Sequence, residues 1–366
     1  MRISAILRSA KSTTDWLSPL KASTLKSIAQ ATGLKCSGTK QVLLGRIRQN
    51  LSNAPSFLDK VKEKGNDDKA SGSGKRVSVL SVDLGIRNLA FSHLIVSGTT
   101  DGELKKPEGI GVKLNAWRRI SLAKSASGSA SASEEDETYS PSVYAEKAYA
   151  LLTELLSTYK PDYILLERQR FRSAGSAAVQ EWTLRVGMLE AMLYATLHTM
   201  QRSAAVPLAR YVVVQGIDPG RVAAYWTADG PEGGSEESRV RSKGRQRKKS
   251  AREGKQRKIG IVAQWLLASD PSRWERLETN TIITEKRPPV GGEGLSLFVP
   301  QQREDPEVAN LAHAFIEKHM GVRGPRAREG SVIGKMDDLA DCLLQGITWI
   351  EWQIRKEKIA REQHFP

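Results

Sequence analysis

Cysteine is nearly missing from this chain of 366 residues, with Cys36 and Cys342 the only two. A disulfide framework needs more, and no CxxC pair offers zinc-binding spacing, so the composition points to a reducing compartment and a fold held by its core. No apolar run approaches the roughly 20 residues that cross a bilayer, which argues for a soluble chain with no membrane partner. The five histidines, His93, His198, His313, His319 and His364, show no ligand spacing and read as structural or surface residues. Acid is in short supply too. Against 56 Lys and Arg stand 41 Asp and Glu, a formal charge of +15, and a polyanion is the partner such a balance favours, nucleic acid before a membrane surface. A ribosomal or structural basic protein satisfies the same balance. At 39% hydrophobic residues the chain can build a packed core, but it is poor enough in them to predict sizeable segments outside it.

The N-terminal MRISAILRSAKSTT carries Arg2, Arg8 and Lys11, several hydroxyls and no acid before Asp15. That composition suits a mitochondrial presequence over residues 1–15, and equally a disordered basic N-terminus. Residues 16–52 show helical spacing, with Leu17, Leu20, Leu25 and Ile28 on one segment and Val42, Leu43 and Ile47 on another, joined through Gly33 and Gly38. The run LSPLKASTLKSIAQATGLKCSGTKQVLLGRI resembles the SAP motif, a small helix-extended-helix module that binds DNA. Lys21, Lys26, Lys35, Lys40, Arg46 and Arg48 lie between its apolar positions, as a cationic face for phosphates requires. A helical hairpin for protein contacts would have similar spacing. Residues 53–76 are polar, rich in Gly, Ser and Lys, and read as a flexible linker.

From Val77 the pattern changes. VSVLSVDLG is a buried strand, the turn at Gly85 to Asn88 leads to a second strand, LAFSHLIV, and Trp117 to Leu122 suggests a third. Ser140-Pro141 supplies an N-cap and a first-turn proline for a helix marked by Tyr144, Ala148, Leu151, Leu152, Leu155 and Tyr159. DYILLERQ follows as a strand, Val179 to Leu193 as a second long helix, and YVVVQGI as another strand. That order is expected of a mixed α/β sheet. Insertions near 123–139 and 228–256 read as disordered, and self-repulsion should keep the cationic run 239–258 extended. Helical spacing resumes at Ile259, Val262, Ala263 and Leu266; the loop RPPVGGEG and a helix through Val308, Leu311, Ala312 and Phe315 complete the middle of the chain.

Three acidic segments stand out. Asp83 ends the first apolar strand and Glu167 ends YILLE, where a charge without a partner is expensive. KMDDLADCLLQGITWIEW reads as a helix with the apolar stripe Met336, Ala340, Leu343, Leu344, Ile347 and Ile350, beside which Asp337, Asp338 and Asp341 cluster at helical spacing. Taken singly, Asp83 suits a turn, Glu167 a strand-end surface charge, and Asp337 or Asp338 the positive end of a helix dipole. Together they suit a hard divalent cation, which neutralises converging carboxylates and leaves room for a phosphate oxygen and water.

VDLGIRNLAFS, LLERQRFRS and KMDDLADCLLQG resemble the three active-site segments of the RuvC type of Holliday junction resolvase, and most closely its fungal mitochondrial branch, which carries a SAP-like N-terminus. The resemblance implies an RNase H-like mixed sheet flanked by helices over residues 77–356, beside the small helical SAP-like module. It implies a structure-selective DNA endonuclease that resolves four-way junctions in mitochondrial DNA recombination by paired symmetrical nicks. Two magnesium ions per active site would serve water-mediated phosphodiester hydrolysis, with manganese as a substitute. Asp83, Glu167, Asp338 and Asp341 take the catalytic roles, and with Asp337 they form the metal-binding set. The choice between Asp337 and Asp338 stays open, because an i,i+3 and an i,i+4 pairing with Asp341 both fit. Candidate DNA contacts are Arg87, Arg168, Gln169, Arg170, Phe171, Arg172, Lys255, Lys258 and Lys40; Phe171 suits either stacking on an unpaired base or a place in the core. The family is homodimeric, with Trp182, Met188 and Met192 as interface or core residues. Two alternatives remain: a related nuclease acting on RNA–DNA hybrid or flapped DNA, and a junction-binding architectural protein without catalysis.

Overall fold

The computed structural model describes residues 15–52, 57, 61, 76–98, 110–122, 140–169, 181–203, 211–226, 251–269, 295–301, 303–321 and 335–362. They fall in two compact units. One draws on Met1–Asp59, Gly220–Gln246 and Trp349–Pro366, the other on Lys60–Pro219 and Arg247–Thr348.

The larger unit is built on a six-stranded sheet. Its strands are β1 (Arg76–Asp83), β2 (Leu89–Gly98), β3 (Ile110–Ile120), β4 (Tyr163–Glu167), β5 (Val213–Ile217) and β6 (Leu295–Phe298), in the order β5-β4-β1-β2-β3-β6. β1, β2 and β3 form an antiparallel meander, β4 runs parallel to β1, and β5 runs parallel to β4. Side chains alternate along a strand, so each strand addresses two layers. Leu80, Val82, Phe91, Ile164 and Leu166 pack into one cluster with Tyr144, Leu152 and Leu155 of α3 (Pro141–Tyr159) and Val186, Leu189 and Leu193 of α4 (Glu181–Arg202). α3 is capped as the sequence predicts: the Ser140 hydroxyl accepts from the Val143 amide, Pro141 occupies the first turn, and Lys160 closes the helix in the left-handed region.

The alternate positions serve α8 (Met336–Glu362), whose first half belongs to this unit. Ser92 donates to the Cys342 carbonyl and Trp117 Nε1 to the Leu339 carbonyl, and a methyl group on Gly346 would meet Leu94 at 2.6 Å. Met336, Ala340, Leu343, Leu344, Ile347 and Ile350, the predicted stripe, are all buried, but so is every residue from Cys342 to Thr348, and the bonds and close approach to the sheet come from Cys342, Gln345 and Gly346. Trp117 also stacks on Phe315 of α7 (Pro306–Met320). His93 is the structural residue its lack of ligand spacing implied: buried, it bonds Ser78 Oγ at 2.7 Å and Asn115 Nδ2 at 2.9 Å, and burial pushes its pKa down to about 4.

Several boundaries differ from expectation. The third strand starts at Ile110, seven residues before Trp117, because Val112 and Leu114 continue its buried alternation. β6 is four residues between glycine-rich and polar stretches, too short for a periodic signal. α5 (Pro219–Tyr225) follows β5 directly, where Pro219 reads in sequence as the end of a strand. The cationic run does not stay extended to residue 258: α6 (Ala251–Ser269) already contains its last eight residues. Two of its lysines find carboxylates, which removes part of the repulsion that argued against helix. The rest of that run, the serine-rich loop and residues 1–14 lie outside the described residues.

The smaller unit contains α1 (Ala22–Ala31) and α2 (Lys40–Ser52), the two short helices the spacing predicts. Leu17, Leu25, Ile28, Leu43 and Ile47 share a core with Ile359, from the far end of α8. Gly33 turns the chain with φ +70°, and a methyl group there would lie 2.3 Å from the Trp352 ring. Arg221 donates to the Gly33 carbonyl and Gln30 to the Ala224 carbonyl, so α5 fastens the same turn. Of the segment read as a flexible linker, Phe57 and Val61 are described and buried, Phe57 with its ring edge on Trp349. The rest of that segment up to residue 75 lies outside the described residues.

Gly33→Ala should destabilise this unit by about 1–3 kcal/mol from backbone strain alone, with the ring collision adding to it. Urea unfolding followed by tryptophan fluorescence measures the loss; a change below about 0.5 kcal/mol would show that Trp352 does not close over the turn.

Candidate active site

Strand alternation and register decide where the acids point. Val79, Ser81 and Asp83 share one face of β1, Tyr163, Leu165 and Glu167 the same face of β4, and Val82 pairs with Leu166 in parallel register. The next rung sets Asp83 beside Glu167, on the side that α8 covers. The Asp83 carboxyl is within hydrogen-bond reach of Glu167. Burial pushes the Asp83 carboxyl well above the usual carboxylate range. The Glu167 contact raises it further, as do the charges of Asp341 and Asp338.

The first two turns of α8 present the other acids. Burial and the Asp337 charge push Asp338 up to about 6, against the opposing pull of Lys335 and Arg119. Asp338 Oδ2 is buried with no hydrogen-bond partner. Asp341 is raised by burial, although the Lys258 ammonium stands 2.6 Å from its Oδ1. Asp337 behaves differently: burial would raise it, but the Lys255 ammonium 2.5 Å from Oδ2 brings it below the ordinary value. The contrast separates the two adjacent aspartates that the sequence leaves equivalent. Asp337 is held by a lysine, whereas Asp338 keeps an unpaired oxygen and senses Asp341.

Lys255 and Lys258, read in sequence as DNA contacts, therefore spend their charge on the acids in this structure. Arg46 and Arg48 depart likewise from the cationic face: Arg46 donates to the Lys35 and Ser37 carbonyls and Arg48 to Ser18 Oγ. Lys21, Lys26, Lys35 and Lys40 stay exposed. Lys40 opens α2, where a cation opposes the helix dipole, so stability does not explain its presence. Arg87 is exposed with its guanidinium 5.8 Å from the Trp182 ring centre, and Arg168 is exposed just past Glu167. The Gln169 amide donates to Glu190 of α4, a carboxylate the sequence did not single out. Met188 and Met192 pack at the edge of the core, while Trp182 is 42% exposed. Arg170, Phe171 and Arg172 lie outside the described residues.

Among the described residues, no three His, Cys, Asp or Glu side chains are close enough together to hold one ion. The structure gives Asp83 beside Glu167, and two aspartates whose charges raise Asp83 further. The chemistry of the donor set nonetheless fits a hard divalent cation: every donor is oxygen, the Asp83 carboxyl is raised by its acidic neighbours as well as by burial, and one buried oxygen, Asp338 Oδ2, lacks a partner.

A helix-flanked mixed sheet with carboxylates at adjacent strand ends, faced by an acidic helix, is the α/β architecture that the sequence resemblance implies. The family model described as mitochondrial resolvase Ydc2 / RNA splicing MRS1 matches residues 79–359, and the chain belongs to that family. It is 30% identical over 212 residues to the mitochondrial cruciform cutting endonuclease 1 of Schizosaccharomyces pombe, covering 58% of this chain and 69% of that one. With the protein of the same name from Saccharomyces cerevisiae it shares 25% over 344 residues, 93% of this chain and 84% of the other. The crystal structure of the yeast mitochondrial Holliday junction resolvase Ydc2 overlaps 94% of this chain and 99% of its own, with a TM-score of 0.48 and 23% identity. The mitochondrial location implied by the N-terminal composition is that of the family.

Raised acids set a pH dependence. Asp83, Asp338 and Asp341 bind protons more tightly folded than unfolded, so without metal the folded state loses stability as pH rises from about 4 through 6. In EDTA the melting temperature should be a few degrees higher at pH 5 than at pH 7.5, and millimolar Mg2+ should raise it more at pH 7.5 than at pH 5. A melting temperature indifferent to both pH and metal would show that the acids do not repel.

Proposed function

We propose that this chain is a structure-selective DNA endonuclease that resolves four-way junctions in mitochondria. The observation that carries this reading is Asp83 beside Glu167 at adjacent strand ends, with Asp341 and Asp338 of α8 near enough for their charges to act on Asp83, in a member of a resolvase family. Relatives named as cruciform cutting endonucleases support it. The family description also names an RNA-splicing protein, and a chain that keeps all these acids fits the nuclease better.

Asp83, Glu167, Asp341 and Asp338 would hold divalent ions, magnesium by preference and manganese in its place. Bound there, such ions supply Lewis acidity for in-line hydrolysis of a phosphodiester. The protein's own groups do the rest. Asp83, whose carboxyl is raised, would give up its proton more readily with a cation beside it. Lys255 and Lys258, already at the pole, exchange carboxylate partners for phosphate oxygens when a strand enters, which both orients the strand and frees Asp337 and Asp341. Arg87, Arg168 and Gln169 border the same strand ends and would fix the flanking backbone, a role the sequence also suggests for Arg170, Phe171 and Arg172. The SAP-like module adds contacts through Lys40 and its exposed lysines. Since a junction has two symmetry-related strands to cut, a two-fold dimer is the assembly that fits, and the half-exposed Trp182 suits its interface.

Asp83→Asn should retain junction binding and lose nicking; equal nicking would remove Asp83 from the chemistry. Cleavage of a mobile junction, a flap and an RNA–DNA hybrid at equal concentrations should favour the junction with paired symmetrical cuts, and a preference for hybrid would assign the chain to another nuclease activity. Replacing both Lys255 and Lys258 by Met should flatten the slope of log K against log salt by about 1.8, twice the roughly 0.9 per phosphate contact; an unchanged slope would mean that neither lysine reaches the DNA.

A further inference from the structure

Gln345 is buried, 3% exposed, on a polar line of α8 that also carries Asp341 and the buried Thr348. Its amide nitrogen donates to Ser81 Oγ at 3.0 Å, to the Val82 carbonyl at 3.2 Å and to the Leu165 carbonyl at 3.4 Å. One side chain of α8 is thus bonded to both acid-bearing strands, one residue before Asp83 and two before Glu167. Asp341 lies four residues earlier on α8, the spacing that places two side chains on one face a turn apart. Gly346 removes the Cβ that would hold the helix off, since a methyl group there would meet Leu94 at 2.6 Å and Ser81 at 3.2 Å. Two further bonds pin the same helix: Trp117 holds the carbonyl of Leu339, the residue after Asp338, and Ser92 that of Cys342, the residue after Asp341.

A core helix could dock on apolar contacts alone, and burying a carboxamide there has a cost unless its bonds are made. Apolar packing tolerates a small slide along the helix axis; a carboxamide bonded to two strands does not. From this we infer that Gln345 is a positioning residue for the metal-binding acids: it locks the rise and rotation of α8 against β1 and β4, and so sets the distance from Asp338 and Asp341 to Asp83 and Glu167. The inference rests on the proposed metal-dependent activity, and its readout is metal affinity in the absence of DNA.

The test uses Gln345→Met, which keeps length and volume but removes the donors, beside Leu193→Ala, a cavity in the α3–α4 core far along the chain from α8. Mn2+ binding to each folded protein is measured by electron paramagnetic resonance, junction binding in EDTA by gel shift, turnover on the junction, and melting temperature. Gln345→Met should weaken Mn2+ binding about tenfold, the usual effect of losing a group that orients metal ligands, and lower kcat with junction affinity unchanged. Leu193→Ala should lower the melting temperature and leave Mn2+ affinity alone. Unchanged Mn2+ binding in Gln345→Met, or an equal loss in Leu193→Ala, would overturn the positioning role. A wild-type protein that binds no Mn2+ would overturn the metal reading itself, and this inference with it.

Discussion

Carboxylates crowded at one end of a sheet repel each other, and the rest of the larger unit is arranged around that repulsion. Two strands deliver Asp83 and Glu167 to neighbouring rungs, and the helix above them begins with three more acids. Nothing in core packing asks for this. The structure tolerates it through an Asp83 carboxyl held well above its usual range, two lysines from α6 and the nearby charges of Lys335 and Arg119. Each of these is a stand-in that a stronger cation can replace, which is why strain and function have the same address.

The helix that carries the acids is also the one most firmly fixed. Its carbonyls at 339 and 342 accept from Trp117 and Ser92, its amide at 345 reaches both acid strands, and its glycine at 346 lets the backbone approach. A mobile helix would let the acids drift apart and relieve their repulsion. Polar bonds placed between the acids and the apolar stripe withhold that relief, so the electrostatic tension stays available to a metal.

Much of this was legible in the chain. Strand-end acids after β-branched runs, the SPxxY start of α3 and the stripe of α8 all follow from local patterns, and each lies where spacing puts it. The pairing of Lys255 with Asp337 and of Lys258 with Asp341 was not, because it joins residues more than eighty positions apart. A run of like charge therefore looked extended, although its last eight residues are helical. β6 was missed for want of length, and α5 because a proline after a strand reads as a stop when it can equally open a helix. Gln345 left one trace, a polar residue inside CLLQGITWI; its partners depend on helix rotation, which no linear pattern contains.

The smaller unit takes its core from both ends of the chain, with Leu17 and Leu25 packed on Ile359 and Gly33 beneath Trp352. Contacts of such wide separation carry a large loop-closure entropy and form late. During synthesis, or during threading through a translocase, the first helices emerge hundreds of residues ahead of the segment that completes them. They must wait, half-finished and exposed, for the final turns of the chain. Any product cut short before residue 349 would keep these helices without Trp352 and Ile359, and quality control would meet the apolar side chains that those residues pack against.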